Sequence, residues 1–145
     1  MEDKGEEPHP DWVSAVDGSL RTHVVTGCYD GAVRVFDASD ANKATVPAAT
    51  NHSAAVKAVA TFRINAEIGV VSASKDRTVK LWDVASRTEI ATLPEHHGVV
   101  WSVSFSPDGQ TLASGSGDTS VVCLARSAAA GADGASSRRG RQRIR

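Results

Sequence analysis

Apolar and polar residues alternate along this chain in short runs, each broken by a polar turn. The clearest run is VSASKDRTVKLWDV, Val71 to Val84. Val79 and Leu81 fall on one face, and Thr78, Lys80 and Trp82 on the other. A period of two across a tight turn centred on Asp76 predicts two half-buried antiparallel strands. The same reading predicts strands at Val13–Val16, His23–Thr26 and Ala32–Phe36, with a weak fourth near Thr45-Val46. It continues with Val56–Phe62, Ile68–Ser72, Thr78–Trp82 and Glu89–Leu93. The last group is Val100–Phe105, Thr111–Ser114 and Ser120–Leu124. Ser106-Pro107-Asp108-Gly109 is a turn signal, because Pro presets φ and Gly accepts positive φ.

These strands fall into units. His9 and His52 are 43 residues apart, and His52 and His96 are 44. Asp30 and Asp76 are separated by 46 residues, Asp76 and Asp118 by 42. Six residues after each Asp stands Phe36, Trp82 or Leu124; four before it stands Thr26, Ser72 or Ser114. A period near 40–45 residues with four short strands is the signature of propeller blades, each of which buries its faces against its neighbours.

With those residues in view, the chain resembles the WD-repeat (WD40) β-propeller family over about residues 9–125. The resemblance implies an all-β fold of about three four-stranded antiparallel blades, at about 9–50, 51–95 and 96–125, the third incomplete. Residues 1–8 are read as an acidic leader. Residues 126–145 are read as a disordered Ala/Gly/Ser stretch with an Arg-rich end. It also implies a hydrogen-bonded tetrad inside each blade, complete only as His52, Ser72, Asp76 and Trp82. The first unit offers His9, Thr26, Asp30 and Phe36, whose last member cannot donate. The third offers His96, Ser114 and Asp118, with Leu124-Ala125 where Trp-Asp is expected.

A narrower resemblance rests on PHPDWVSAVDGS (Pro8 to Ser19) and VTGCYDGAVRVFD (Val25 to Asp37). These strings are similar to the first blade of the WD-repeat subunits of PeBoW-type complexes, which mature the large ribosomal subunit. SASKDRTVKLWDV fits their second blade and many other WD repeats. The resemblance implies a non-enzymatic protein-interaction scaffold in ribosome large-subunit biogenesis (pre-rRNA processing), located in the nucleus and nucleolus. Its partners would be other proteins of a ribosome-assembly complex and the pre-ribosomal particle. That family carries a ubiquitin-like domain and a seven-bladed ring, so this chain reads as a fragment. The alternative is a generic WD-repeat adaptor in another complex, nuclear or cytoplasmic.

Composition narrows the chemistry. The chain has 145 residues, 41% of them hydrophobic, enough for a core. Residues 1–125 hold 10 Lys/Arg against 16 Asp/Glu, while residues 126–145 hold six Arg against Asp133. The basic character therefore sits in the tail. Arg138 to Arg145 is read as an RNA-phosphate contact, a nuclear address, a solvated tail, or out-of-frame residues after a broken third blade. Met1 to Glu7 has no signal-peptide pattern, and no apolar run approaches a membrane span. Cys28 and Cys123 form no CxxC pair and read as small buried hydrophobes.

His52, Ser72 and Asp76 also match the residue types of a hydrolase triad. Copies at matching spacing in every unit favour a hydrogen-bonding role, because one catalytic centre would not need them. No catalytic, metal or cofactor-binding residues are assigned: His96-His97 fits no zinc spacing, and Gly115-Ser116-Gly117-Asp118 lacks a phosphate-loop Lys. Trp12, Tyr29, Arg77 and Trp101 fall at strand starts or turns and are candidates for partner binding. Half-burial of Trp101 between blades is an equal alternative.

Overall fold

The computed structural model describes residues 9–45, 52–64, 67–85, 88–125 and 142–144. These residues form twelve strands in three antiparallel sheets of four. The first sheet runs β1 (Val13–Asp17), β2 (His23–Cys28), β3 (Val33–Asp37) and β4 (Asp40–Thr45), in chain order. The second runs β5 (Val56–Ile64), β6 (Glu67–Ser74), β7 (Val79–Asp83) and β8 (Thr88–Leu93). The third contains β9 (Val100–Phe105), β10 (Thr111–Ser116), β11 (Val121–Ala125) and β12 (Gln142–Ile144). Each is a meander, so every neighbouring pair in the sheet is also consecutive in sequence.

β12 was not anticipated. The reading above leaves the third blade incomplete and the tail without structure, yet Gln142–Ile144 pairs with Val121–Cys123 of β11. The outer edge of β11 presents unpaired backbone groups, which any extended segment can satisfy. The third sheet therefore has a short fourth strand. Residues 1–8 and the rest of the tail lie outside the described residues.

The turns repeat with the sheets. Gly31, Arg77 and Thr119 occupy the same turn position at φ of 89°, 75° and 71°. Their amides donate back to the carbonyls of Cys28, Ser74 and Ser116. Gly suits this left-handed conformation; a β-branched Thr is strained there.

The middle sheet departs from the half-buried expectation. Every residue from Gly69 to Ser74 of β6 is buried, because both faces are covered. Val70 and Trp82 pack with Val25, Val33, Val35, Val56 and Val59 in a core against the first sheet. Val71, Ala73 and Val79 pack with Val100, Val103, Leu112, Val122 and Leu124 in a second core against the third. Stacked sheets bury alternate side chains on opposite sides, so β6 and β7 feed two cores at once. Glycine makes room in two places: a Cβ on Gly27 would strike Val56 of the neighbouring sheet, and one on Gly69 would strike the Phe62 ring opposite it in the same sheet.

Polar links join the first two sheets. Asp17 Oδ2 accepts from the Thr61 amide at 2.7 Å and its hydroxyl at 3.1 Å. The Ser14 hydroxyl donates to the Val56 carbonyl, and the His52 amide donates to Gly31 O at 3.0 Å.

Candidate functional site

The segment before β5, the strand β6, the turn after it and the strand β7 each bring one side chain of the second unit to a common point. Trp82 Nε1 donates to Ser72 Oγ at 3.0 Å. Ser72 Oγ lies 2.7 Å from His52 Nε2, and His52 Nδ1 lies 2.8 Å from Asp76 Oδ2. One proton arrangement satisfies all of it. The indole N–H donates to the hydroxyl, the hydroxyl to Nε2, and Nδ1–H to the carboxylate. Burial lowers the His52 pKa, which favours this neutral ring. Asp76 is held below its usual range by the Thr78 hydroxyl and amide and by His52, against the opposing cost of burial.

The third unit repeats most of this. His96 Nε2 is 2.8 Å from Ser114 Oγ, and His96 Nδ1 is 3.2 Å from Asp118 Oδ2. Leu124, buried in the core against the middle sheet, stands where Trp82 stands and has no N–H to offer. His97 is exposed and gives only its backbone amide to Asp118, at 2.8 Å.

In the first unit the arrangement parts. His9 Nε2 is 2.6 Å from Thr26 Oγ1, and Phe36 lies against the His9 ring at 5.5 Å between centroids. Asp30 forms an ion pair with Arg34 at 2.8 Å, and the Arg34 hydrogen bonds hold its pKa down at about 2. The register explains the looseness. Val25, Val33 and Val35 face the middle sheet, so the alternating residues Thr26 and Phe36 face away from it. Ser72 and Ser114, by contrast, sit on faces packed against a neighbouring sheet.

Sequence reasoning missed two members of these groups. The Thr78 hydroxyl is 2.6 Å from Asp76 Oδ1 and 3.2 Å from His52 Nδ1. Ser120 plays the same part between Asp118 and His96. The signal was present: a hydroxyl residue two after Asp in both complete turns, and Ala32 in the first unit.

Chemically, the Ser–His–Asp connectivity matches a hydrolase triad, but the setting is closed. Ser72 is 0% exposed and its oxygen already accepts from Trp82. Among the described residues no cluster of His, Cys, Asp and Glu is placed to hold a metal ion.

The candidate partner-binding residues lie at one end of the sheets. The amides of Tyr29, Lys75 and Gly117 donate to the carbonyls of Trp12, Ala55 and Val99 at 2.9 Å, one such bond in each unit. Each bond joins the turn after the second strand to the residue just before the first. Trp12 is 75% exposed and Trp101 56%. The Trp12 and Tyr29 rings are 5.7 Å apart, and Lys57 Nζ sits 4.3 Å from the Tyr29 centroid and 5.2 Å from that of Trp101. Arg77 is exposed on the adjoining turn of the middle unit.

Comparison with known proteins agrees with this architecture. The family described as "WD domain, G-beta repeat" matches residues 6–37, 45–83 and 87–123. The chain is 39% identical over 116 residues to the ribosome biogenesis protein WDR12 homolog of Drosophila persimilis, covering 77% of this chain and 27% of that protein. It is 38% identical over 131 residues to the Arabidopsis thaliana protein of the same name, covering 81% and 30%. To the Dictyostelium discoideum protein of that name it is 41% identical over 110 residues, covering 72% and 23%. The chain thus spans less than a third of the length of these relatives. Three sheets of matching register, each carrying the repeat's histidine at the same place, place this chain in the WD40 repeat family.

Proposed function

We propose that this chain is a three-blade section of a WD-repeat scaffold that serves assembly of the large ribosomal subunit by binding proteins. The observation that carries the proposal is the division of its polar chemistry. His52, Ser72, Asp76 and Trp82 form a closed internal chain of hydrogen bonds, while Trp12, Tyr29 and Trp101 stand in solvent. Groups consumed inside a blade stabilise it; exposed aromatics at turns are the usual anchors of an interface. His9, Thr26, Asp30 and Phe36, and His96, Ser114 and Asp118, take the same structural part less completely. Trp12, Tyr29, Arg77 and Trp101 are the surface contacts.

The relatives named as ribosome biogenesis proteins support the process, and a nuclear and nucleolar location belongs to the same proposal. The test is affinity purification of the tagged chain from cells, with fractionation of the eluate on a sucrose gradient. Recovery of large-subunit precursors with companion assembly subunits supports the proposal. Recovery of an unrelated complex alone would replace it with a generic adaptor. Ester hydrolysis abolished by Ser72→Ala, with the fold intact, would replace it with an enzyme.

A further inference from the structure

The end of the sheets that carries Trp12 and Trp101 combines two properties that together select a ligand. Three of the chain's seven aromatic residues are gathered there: two of three Trp and the single Tyr. Trp12, Tyr29 and Trp101 come from two different blades and are drawn into one row by Lys57 of a third. The Lys57 ammonium donates to Tyr29 Oη at 3.0 Å and reaches the ring faces of both Tyr29 and Trp101. A row held by a bridging cation is pre-ordered, so little side-chain freedom is lost when a ligand stacks on it.

The charge at this end is also sorted. Asp11 accepts from the Trp12 amide at 2.8 Å, and Asp30 is paired with Arg34. Asp76 and Asp118 are turned inward to His52 and His96. Lys75 and Arg77, on the turn whose backbone is tied to Ala55 just before Lys57, remain exposed. In a blade region with an excess of carboxylates, this surface presents three cations and aromatic faces beside one exposed carboxylate, Asp11. Cations flanking aromatics match a ligand that carries its own anions and flat π-faces along one strand.

We infer that Trp12, Tyr29, Lys57 and Trp101, with Lys75 and Arg77 beside them, form a binding surface for single-stranded RNA. Bases stack on the indoles and the three cations lie along the phosphates. That the strand is RNA rests on the ribosome-assembly role proposed above. The surface includes none of the arginines of the Arg-rich end of the chain.

The test uses the full chain and a fluorescein-labelled 12-mer of oligouridine. Binding is read both by anisotropy and by quenching of indole fluorescence. Because Trp82 is buried, quenching reports on Trp12 and Trp101. The first variant replaces Arg138, Arg139, Arg141, Arg143 and Arg145 with Ser, which leaves the surface as the remaining contact. Quenching persists in that variant, and three phosphate contacts give a salt slope of about −2 in log K against log salt. Trp101→Ala and Trp12→Ala each weaken binding by about tenfold, as loss of one stacked base requires. Lys57→Ala weakens binding and flattens the slope, while Lys57→Arg retains both affinity and slope; circular dichroism verifies the fold of each.

Binding that disappears with the tail arginines overturns the inference, as does equal affinity for a 12-bp RNA duplex, which offers no free bases. Displacement of the RNA by equimolar oligoglutamate would assign the surface to an acidic peptide instead. Failure here alongside co-purification with large-subunit precursors overturns only the RNA surface and leaves the scaffold role standing.

Discussion

Trp82 donates its indole N–H to the hydroxyl of Ser72 at 3.0 Å, and neither sister unit has this bond. Phe36 and Leu124 keep the apolar bulk at the corresponding places and lack the donor. The bond completes a chain from Trp82 through Ser72 and His52 to Asp76, so the middle unit is the one whose buried polar groups are linked end to end.

That linkage makes the middle unit energetically coupled. Trp82→Phe is expected to cost about 2 kcal/mol, from a lost hydrogen bond and incomplete filling of the site. Ser72→Ala, which removes the partner of both Trp82 and His52, should cost about 2 kcal/mol as well. The double variant should cost less than the sum by about 1 kcal/mol, because the second change removes an already broken link. Urea denaturation of the four proteins measures this, and simple additivity would show that Trp82 acts through packing alone.

Acid should weaken the fold well before the carboxylates titrate. The His52 pKa is lowered from 6.5 by burial, so the unfolded chain takes up a proton more readily than the folded one. The stability this represents is whole above pH 6.5 and is lost as pH falls toward the depressed folded value. His9 is shifted the same way, chiefly by burial and by Arg34. Asp76, also lowered, adds a further loss below its ordinary 3.8. Urea midpoints at pH 7.5 and 5.5 should therefore differ, and the difference should shrink in His52→Gln. An unchanged midpoint across that interval would show that His52 protonates freely in the folded state.

Three turns share one left-handed position, filled by Gly31, Arg77 and Thr119. Thr119→Gly should stabilise the chain by about 1 kcal/mol, raising Tm by about 3–6 °C. Gly31→Ala should do the opposite and by more, since its Cβ would meet the His52 carbonyl as well as the strained φ. Differential scanning calorimetry separates these outcomes. A lowered Tm for Thr119→Gly would mean that the Thr119 side chain contributes more than its backbone strain costs.

The two outer sheets each have one face that no described sheet covers. Val121 is 40% exposed on the outward side of the third sheet. Val13 and Val16 of β1 are 45% and 63% exposed. Residues 1–145 alone should therefore self-associate at micromolar concentration, or unfold over a broad range of denaturant. Sedimentation velocity should show species above the monomer, and Val121→Lys should reduce them. A monomer with a sharp two-state transition would mean that the two inter-sheet cores suffice.

The repeat was legible because its chemistry is local. The turn Asp, the hydroxyl four residues before it and the alternation of Val79, Leu81 and Trp82 lie within about a dozen residues of one another. Strand positions and the units followed from that spacing. Lys57 was invisible. Nothing around it distinguishes it from an ordinary strand cation, and it joins Tyr29 to Trp101 only when three blades stand side by side. The same holds for Asp30, whose choice of Arg34 over a histidine depends on side-chain geometry that spacing does not encode.

The sequence by itself determined most of the strands, their grouping into three blades and the residues that recur at each turn. A period of two and a repeat of about 43 residues are properties of the chain read in order. Tertiary structure alone decided which faces are covered, and so that β6 is buried on both sides while Thr26 and Phe36 turn away from the middle sheet. It also decided that β12 pairs with β11 and that Trp12, Tyr29, Lys57 and Trp101 form one surface. Alternation tells which side chains share a face, but only the neighbouring sheet determines whether that face meets protein or water.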